Sequence, residues 1–305
     1  MLRGTVIVAG YLVLVVLGGS LLGYLLSTLL DFSYEKLLSR SILLLAALGL
    51  VPLWRYFGLT AQYIGLAPGR ESAETSYRRL LLVYAAGIVA MLPPTTFFVV
   101  VGFRVWDVTV TPLSAVFLGE CLIIFLSAWL VAIFEETLFR GVLYSALKRS
   151  RERLTTSPSA AFLVPAVISS LAYAAVHFLQ PAEATLAEPG WWSGFAVVAS
   201  AFAGMFGSGG DWQSFVGLTL LGVTFCWVRQ HLGLWSAIAL HSAFVCALRI
   251  FKELTIRDIV HPYARLVGEY DHFVGVVVIF WLIFGFVWIA LYQQHSAARQ
   301  SSRFD

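Results

Sequence analysis

The chain has 305 residues, of which 59% are hydrophobic and 12% are charged, and its mean hydropathy is +0.84. This composition excludes an ordinary soluble domain and is typical of a protein that crosses a membrane several times. The net charge of +3 is small and spread over several loops, so we expect the lipid bilayer as a partner and no nucleic acid.

Eight apolar stretches each come close to the roughly 20 residues that a helix needs to cross the hydrocarbon layer. They predict an all-α polytopic membrane protein that forms a single transmembrane domain over residues 1–305. The predicted spanning helices are 5–30, 41–58, 80–103, 113–147, 159–179, 212–230, 233–250 and 273–293.

The stretch 190–206 is also apolar, but it is short and rich in Gly and Ala. This pattern indicates a re-entrant or interfacial segment, with Trp191 and Trp192 at the membrane–water boundary. If the stretch spans the membrane instead, the number of spans becomes nine. The orientation of every later helix is then reversed.

The distribution of Lys and Arg sets the expected orientation. The connector 148–158 and the loop 59–79 are basic, whereas the stretch 180–211 has no Lys or Arg. The first two should be cytoplasmic, and with eight spans both termini are cytoplasmic as well. The basic segment 249–272 falls on the outer side and does not follow the rule. Because Arg greatly outnumbers Lys and Asn is absent, we expect a bacterial protein of the inner membrane.

Residues 134–141 read Phe-Glu-Glu-Thr-Leu-Phe-Arg-Gly and lie inside the fourth apolar stretch. Charged side chains in hydrocarbon are costly unless they pair or line a polar cavity, so they indicate a functional site. Glu136 and Arg140 are four residues apart on a helix and can pair. Glu135 is rotated by about 100° from Glu136 and is therefore left for chemistry. The alternative is a structural ion pair that locks two helices.

Two histidines also lie in predicted spans: His177 at the end of the fifth and His241 in the middle of the seventh. Each needs a polar partner in hydrocarbon, and the Glu-Glu-Arg group is the obvious one. Tyr173 is one turn before His177, so it shares that face of the helix and should line the same cavity as a substrate-binding residue. Its alternative role is aromatic packing.

Such a group of side chains can hydrolyse a bond in two ways. A carboxylate can act as a general base on water, while a neutral histidine holds the water or donates to the developing oxyanion. Alternatively, Glu135, His177 and His241 form the ligand set of a catalytic zinc site. The spacing of the residues does not decide between these chemistries.

The motif Glu135-Glu136-xxx-Arg140-Gly141, followed by Tyr173-xxx-His177 and by a later His241, resembles the CPBP family. These are the CAAX-protease and bacteriocin-processing proteins, also called Abi proteins. The resemblance covers residues 113–250, the expected catalytic core.

The resemblance implies a helical intramembrane endopeptidase that cleaves a membrane-associated peptide or protein. It also implies that Glu135 activates water, that Glu136 and Arg140 support it, and that His177 and His241 complete the site. We expect a metal-free glutamic protease without a cofactor, with zinc as the alternative.

One position departs from the family pattern. The family's last motif usually reads HxxxN, whereas the fourth residue after His241 is Val245, and the chain contains no Asn. Loss of an oxyanion donor can lower the rate about 100- to 1000-fold. Ser242 is about 100° away from His241 around the helix and is a poor substitute. Ser236 and Thr219 are candidates by position only.

The depths of Glu135 and His177 in the membrane also need explanation. Glu135 lies about 18 Å before the cytoplasmic end of the predicted helix 113–147, whereas His177 lies about 27 Å into the next helix. The sequence therefore predicts a break near Gly141, or a following helix that starts early, within 153–158.

Two other functions remain open at this point. Intramembrane Glu and His residues also build the proton relays of transporters, although no internal repeat is visible here. A catalytically weak relative that binds a membrane partner is the second alternative, and Val245 is its main support.

Overall fold

A computed structural model describes residues 2–67, 73–152, 154–178, 188–206 and 211–301. Helices make up almost all of this part of the chain. In chain order they are α1 (Leu2–Ser27), α2 (Tyr34–Tyr56), α3 (Ala61–Ile64), α4 (Ala73–Val100), α5 (Ala115–Glu136), α6 (Tyr144–Glu152), α7 (Pro158–His177), α8 (Ser193–Phe206), α9 (Trp212–Leu232), α10 (Leu234–Glu253) and α11 (Val276–Ser301). The remaining elements are a π-helix (Thr137–Leu143), a 3₁₀-helix (Pro262–Leu266) and the strands β1 (Arg104–Trp106) and β2 (Thr255–Arg257).

Seven helical segments are long and apolar enough to cross a membrane, which confirms the predicted all-α polytopic fold. They are Val6–Ser27, Lys36–Tyr56, Glu74–Val100, Ala115–Glu152, Pro158–His177, Trp212–Leu232 and Leu234–Glu253. The eighth predicted span corresponds to α11. Its apolar part among the described side chains is the shorter segment Val276–Trp288.

Helix α10 lies at the centre of the bundle and packs against α4, α5 and α9, while α7 packs against α9 and α6. Small side chains allow this close packing of helices without a bulky interface. On α10 the fully buried small residues are Ser236, Ala237, Ala239, Ser242 and Ala243. Helices α1 and α2 form a flanking pair, and α8 packs against α1.

The short strands β1 and β2 pair in antiparallel fashion after the ends of α4 and α10. These two ends therefore lie on the same side of the bundle. Four crossings, by α5–α6, α7, α9 and α10, separate them, and a fifth crossing through residues 190–206 would place them on opposite sides. Helix α8 has 14 residues, about 21 Å, and is shorter than a full span. Both observations favour eight spans over nine.

The predicted break near Gly141 takes a different form from the one expected. The helix from Ala115 continues to Glu152, with the π-helical segment inside it, and its end lies five residues beyond the predicted one. Glu135 is 17 residues before Glu152, about 26 Å, and His177 is 19 residues after Pro158, about 28 Å. The two depths match because the first helix extends to Glu152 and α7 begins at Pro158, inside the range 153–158 given as the alternative to a break.

Two prolines, Pro93 and Pro94, lie inside α4. Proline has no backbone N–H, so the carbonyl of Ala90, four residues before Pro94, loses its donor within the helix. The indole Nε1 of Trp281 donates to this carbonyl at 2.9 Å. A polar contact between α11 and α4 thus satisfies a backbone acceptor that the proline leaves free.

Substitution Trp281→Phe removes this donor and keeps most of the aromatic packing. We expect a loss of about 1–3 kcal/mol in the free energy of unfolding, because a buried acceptor is left unsatisfied. The thermal melting temperature of the detergent-solubilised protein measures it. Trp288→Phe is the matched control, since Trp288 lies on the same helix and is 64% exposed. Equal shifts for the two variants would contradict the role of the Trp281 bond.

Candidate active site

Glu136 and Arg140 form the ion pair that their spacing predicts. Both side chains are fully buried, and Nη1 of Arg140 donates to Oε1 of Glu136 at 2.9 Å. The same carboxylate oxygen lies 2.8 Å from Nδ1 of His241, so α10 is joined to the junction of α5 and the π-helix. The sequence analysis names the Glu-Glu-Arg group as the partner of His241, and the structure shows that Glu136 makes this contact across 105 positions of the chain.

Glu135 points in a different direction from Glu136 and lines a cavity. Its Oε2 atom lies 3.8 Å from Nε2 of His177 and 3.9 Å from Nε2 of His241. Both distances exceed that of a hydrogen bond, and Oε2 has no hydrogen-bond partner among the described residues. The structure therefore brings Glu135, His177 and His241 together and leaves Oε2 of Glu135 without a hydrogen bond to any described residue.

The hydrogen bonds of the two histidines indicate which ring nitrogen carries the proton. Nδ1 of His177 lies 2.7 Å from the backbone carbonyl of Tyr173, and Nδ1 of His241 lies 2.8 Å from the ion-paired Glu136 carboxylate. Both oxygens can only accept, so each Nδ1 is the donor. In the neutral rings both Nε2 atoms are then acceptors that face Glu135. Water can donate to only two acceptors, so a water molecule at this position can donate to two of the three groups, which are the two Nε2 atoms and the Glu135 carboxylate.

The same three groups are the alternative zinc ligands of the sequence prediction. Tetrahedral zinc with bonds of about 2.0–2.1 Å places its ligand atoms about 3.3 Å apart, which is closer than the two distances from Glu135. In the described ranges of the chain, no group of three or more His, Cys, Asp or Glu side chains is arranged to hold a metal ion.

Aromatic rings surround the buried guanidinium of Arg140. Its Cζ atom lies 4.2 Å from the ring centre of Tyr173 and 5.1 Å from that of Phe225. Such cation–π contacts offset part of the cost of burying the charge. Phe225 also stacks on the ring of His241, with 4.8 Å between the ring centres. Tyr173 thus lines the cavity, as predicted for a substrate-binding residue, and also packs against Arg140.

The cavity has a volume of about 300 Å³ and lies between α4, α5, α7, α9, α10 and α11. Most of its wall is apolar. The apolar lining residues include Met91, Pro94, Val131, Leu218, Leu221, Phe244, Val245, Leu248, Val278, Trp281 and Leu282. A site of this kind suits an apolar ligand next to a few polar groups.

Val245 faces this cavity one turn after His241, where the family pattern has its amide. The three hydroxyls considered as substitutes lie elsewhere. Ser236 donates to the carbonyl of Leu232, and Thr219 donates to that of Phe215. Ser242 is fully buried and is not among the residues that line the cavity. None of the three replaces the missing donor.

The sequence analysis did not identify four further polar residues that line the cavity. Tyr270 and Asp271, between the 3₁₀-helix and α11, line it together with Lys252 and Arg249 of α10. Residues in a loop follow no periodic pattern, so the sequence does not show which of them face the cavity. The only sign that this segment is unusual was the number of basic residues in 249–272. Lys252 bonds to the Asp271 carbonyl at 2.6 Å, and Arg249 bonds to Ser127 at 2.9 Å.

Residues 117–247 match the family model described as Type II CAAX prenyl endopeptidase Rce1-like. The matched region runs from the start of α5 into α10 and contains all five predicted catalytic residues. The match confirms the resemblance to the CPBP family that the motifs indicate, and it implies a protease. No curated protein and no solved structure matches the chain.

Two glycines near the site differ in the space around them. A Cβ atom at Gly222 would lie 2.7 Å from Cβ of Ser170 and 3.1 Å from Nη2 of Arg140. A Cβ atom at Gly141, within the motif, would meet nothing closer than 3.5 Å. The close approach of α9 to the ion pair thus depends on Gly222.

Gly222→Ala should therefore displace Arg140 and lower the free energy of unfolding by about 1–3 kcal/mol, the usual cost of overpacking. Gly141→Ala, the matched control, should keep both the melting temperature and the activity of the wild type. Melting curves of both variants in detergent test this. A Gly141→Ala variant that is less stable than Gly222→Ala would contradict the packing argument.

Proposed function

We propose that the protein is an intramembrane endopeptidase of the glutamic type, in which Glu135 activates a water molecule. The observation that supports this most directly is the Glu135 carboxylate, whose Oε2 atom has no hydrogen bond to any described residue and faces two histidine acceptors in an apolar cavity. The catalytic core over residues 113–250 contains the family match. The whole chain, residues 1–305, is proposed as one transmembrane domain.

In the first step, water donates one hydrogen to Glu135 and the other to Nε2 of a histidine. Glu135 removes a proton as the water oxygen bonds to the carbonyl carbon of the substrate peptide, whose oxygen becomes an oxyanion. The tetrahedral intermediate then collapses, and the C–N bond breaks. Glu135 returns the proton to the leaving amine, which leaves a carboxylic acid and an amine as products.

In this mechanism either His177 or His241 holds the water, because its Nε2 atom accepts the hydrogen that Glu135 does not take. Glu136 and Arg140 act through His241: the carboxylate fixes its Nδ1 as the donor and so directs Nε2 towards Glu135. The two adjacent glutamates thus have different roles, with Glu136 positioning the site and Glu135 reacting with the water.

The apolar wall of the cavity favours a membrane-associated peptide or protein as the substrate. Processing of secreted peptides, of lipid-anchored proteins or of C-terminal sorting signals is compatible with such a site. The proposed location is the bacterial inner membrane, with both termini in the cytoplasm. The basic connector 148–158 supports this orientation, and the β1–β2 pairing supports an even number of spans.

A protein that binds a membrane partner without cleaving it is the second candidate, and Val245 is the observation that favours it. Comparing the termini of membrane proteins by mass spectrometry separates the two, using cells that express the wild type or Glu135→Gln at matched levels. Termini that appear only with the wild type support cleavage and identify the substrate. Identical termini, with both variants supporting the same phenotype, favour the binding protein.

Glu135→Gln should lower the cleavage rate about 100- to 10,000-fold, the usual contribution of a general base, and leave the melting temperature unchanged. Glu136→Gln should lower both, because one partner of a buried ion pair is lost, at a cost of about 3–5 kcal/mol. Glu120→Gln, at an exposed position of α5, is the control and should behave like the wild type. A fully active Glu135→Gln variant would refute the proposed role of Glu135.

Treatment of the purified protein with a strong chelator such as EDTA should leave cleavage unchanged, since no step of the mechanism uses a metal ion. Activity before and after treatment is the measurement, with added zinc in a parallel sample. Loss of activity that zinc restores would favour Glu135, His177 and His241 as zinc ligands instead.

A further inference from the structure

The mechanism requires a hydrogen-bond donor for the oxyanion, and neither the two histidines nor the residue at position 245 supplies one. The Nε2 atoms of both histidines are acceptors in the neutral rings, and Val245 stands at the position of the family amide. An oxyanion without a donor in an apolar cavity would be costly, because nothing offsets the developing charge.

Tyr270 lines the same cavity from outside the family motifs, and its side chain carries a hydroxyl group. Its ring lies 5.6 Å from the ring of His177, nearly perpendicular to it, and 6.0 Å from the ring of Phe178. It lines the cavity together with Glu135, His177 and His241. Its hydroxyl forms no hydrogen bond with any residue that the structure describes.

The environment of Tyr270 keeps this hydroxyl protonated. Burial raises its pKa above the ordinary value, and the negative charges of Asp271 and Glu135 raise the pKa further. A phenol that keeps its proton remains a donor under the conditions in which Glu135 is ionised.

The loop that carries Tyr270 is held in place by its own contacts. The backbone N–H of Tyr270 donates to Oδ2 of Asp211 at 2.8 Å, and Oδ1 of Asp271 accepts from the N–H of Val274 at 2.8 Å. Close by, a Cβ atom at Gly268 would lie within 1.9 Å of Oγ of Ser214, so only glycine fits. A donor on this loop is therefore preorganised, as oxyanion stabilisation requires.

We propose that the Tyr270 hydroxyl donates a hydrogen bond to the oxyanion of the tetrahedral intermediate and takes the place of the amide that Val245 replaces. The inference rests on the proposed peptidase function. The phenol keeps its proton throughout the reaction. The proton removed from water passes through Glu135 to the leaving amine, as in the mechanism above.

The test uses the full-length protein in detergent micelles and a pool of internally quenched peptides with apolar residues around the central amide bonds. Tyr270→Phe should lower kcat about 100- to 1000-fold and leave KM and the melting temperature unchanged, because only a transition-state contact is lost. Tyr263→Phe, at a 43% exposed position of the 3₁₀-helix, is the matched control and should have wild-type kinetics.

A second variant distinguishes a catalytic role from a structural one. Val245→Asn in the Tyr270→Phe background restores a donor one turn after His241, and kcat should recover by at least about tenfold, part of what one such donor contributes. In the wild-type background the same substitution should change kcat little. A structural defect in the loop would not be repaired by an amide on α10.

Wild-type kcat for Tyr270→Phe would overturn the inference. So would a loss of activity that is accompanied by a lower melting temperature and is not repaired by Val245→Asn. A large loss for Tyr173→Phe with none for Tyr270→Phe would assign the donor to Tyr173 instead. Failure of the wild type to cleave any peptide, or equal cleavage by Glu135→Gln, would instead count against the proposed function itself.

Discussion

The buried ion pair between Glu136 and Arg140 is the constraint on which the arrangement of the central helices depends. A charge in hydrocarbon is costly unless it is paired, and removal of one partner of a buried ion pair costs far more free energy than removal of one partner of an exposed pair. His241 from α10, Tyr173 from α7 and Phe225 from α9 surround the pair. Satisfying one charge pair thus brings α5, α7, α9 and α10 together at a single depth.

The position of the reactive carboxylate, Glu135, follows from this arrangement, because Glu135 is next to Glu136, which the ion pair fixes. With Glu136 held by Arg140 and His241, the adjacent Glu135 is rotated towards the cavity, where its Oε2 atom has no hydrogen bond to any described residue. His241 links the two glutamates, with Nδ1 on one and Nε2 facing the other. A change in the ion pair would therefore alter the orientation of the histidine and the position of the water.

Local patterns in the sequence predict the parts of the site that one helix contains. The four-residue spacing predicts the pair of Glu136 with Arg140, and the apolar stretches predict the all-α fold. The approach of His177 to Glu135 needed the true length of α6, since the predicted end was five residues short. Tyr270 could not be predicted, because it lies in an aperiodic loop and its contacts join distant parts of the chain.

The position of Tyr270 outside the motifs has a physical consequence for the site. A donor on α10 would move rigidly with His241, since both belong to one helix. In our proposal the donor lies instead on a loop that depends on Asp211 at the start of α9 and on Gly268. Catalysis would then require α9, α10 and the loop that carries Tyr270 to keep their relative positions. Substitutions far from the motifs, in the loop or at its contact with α9, would affect kcat through the geometry of the donor while leaving Glu135 and the ion pair intact.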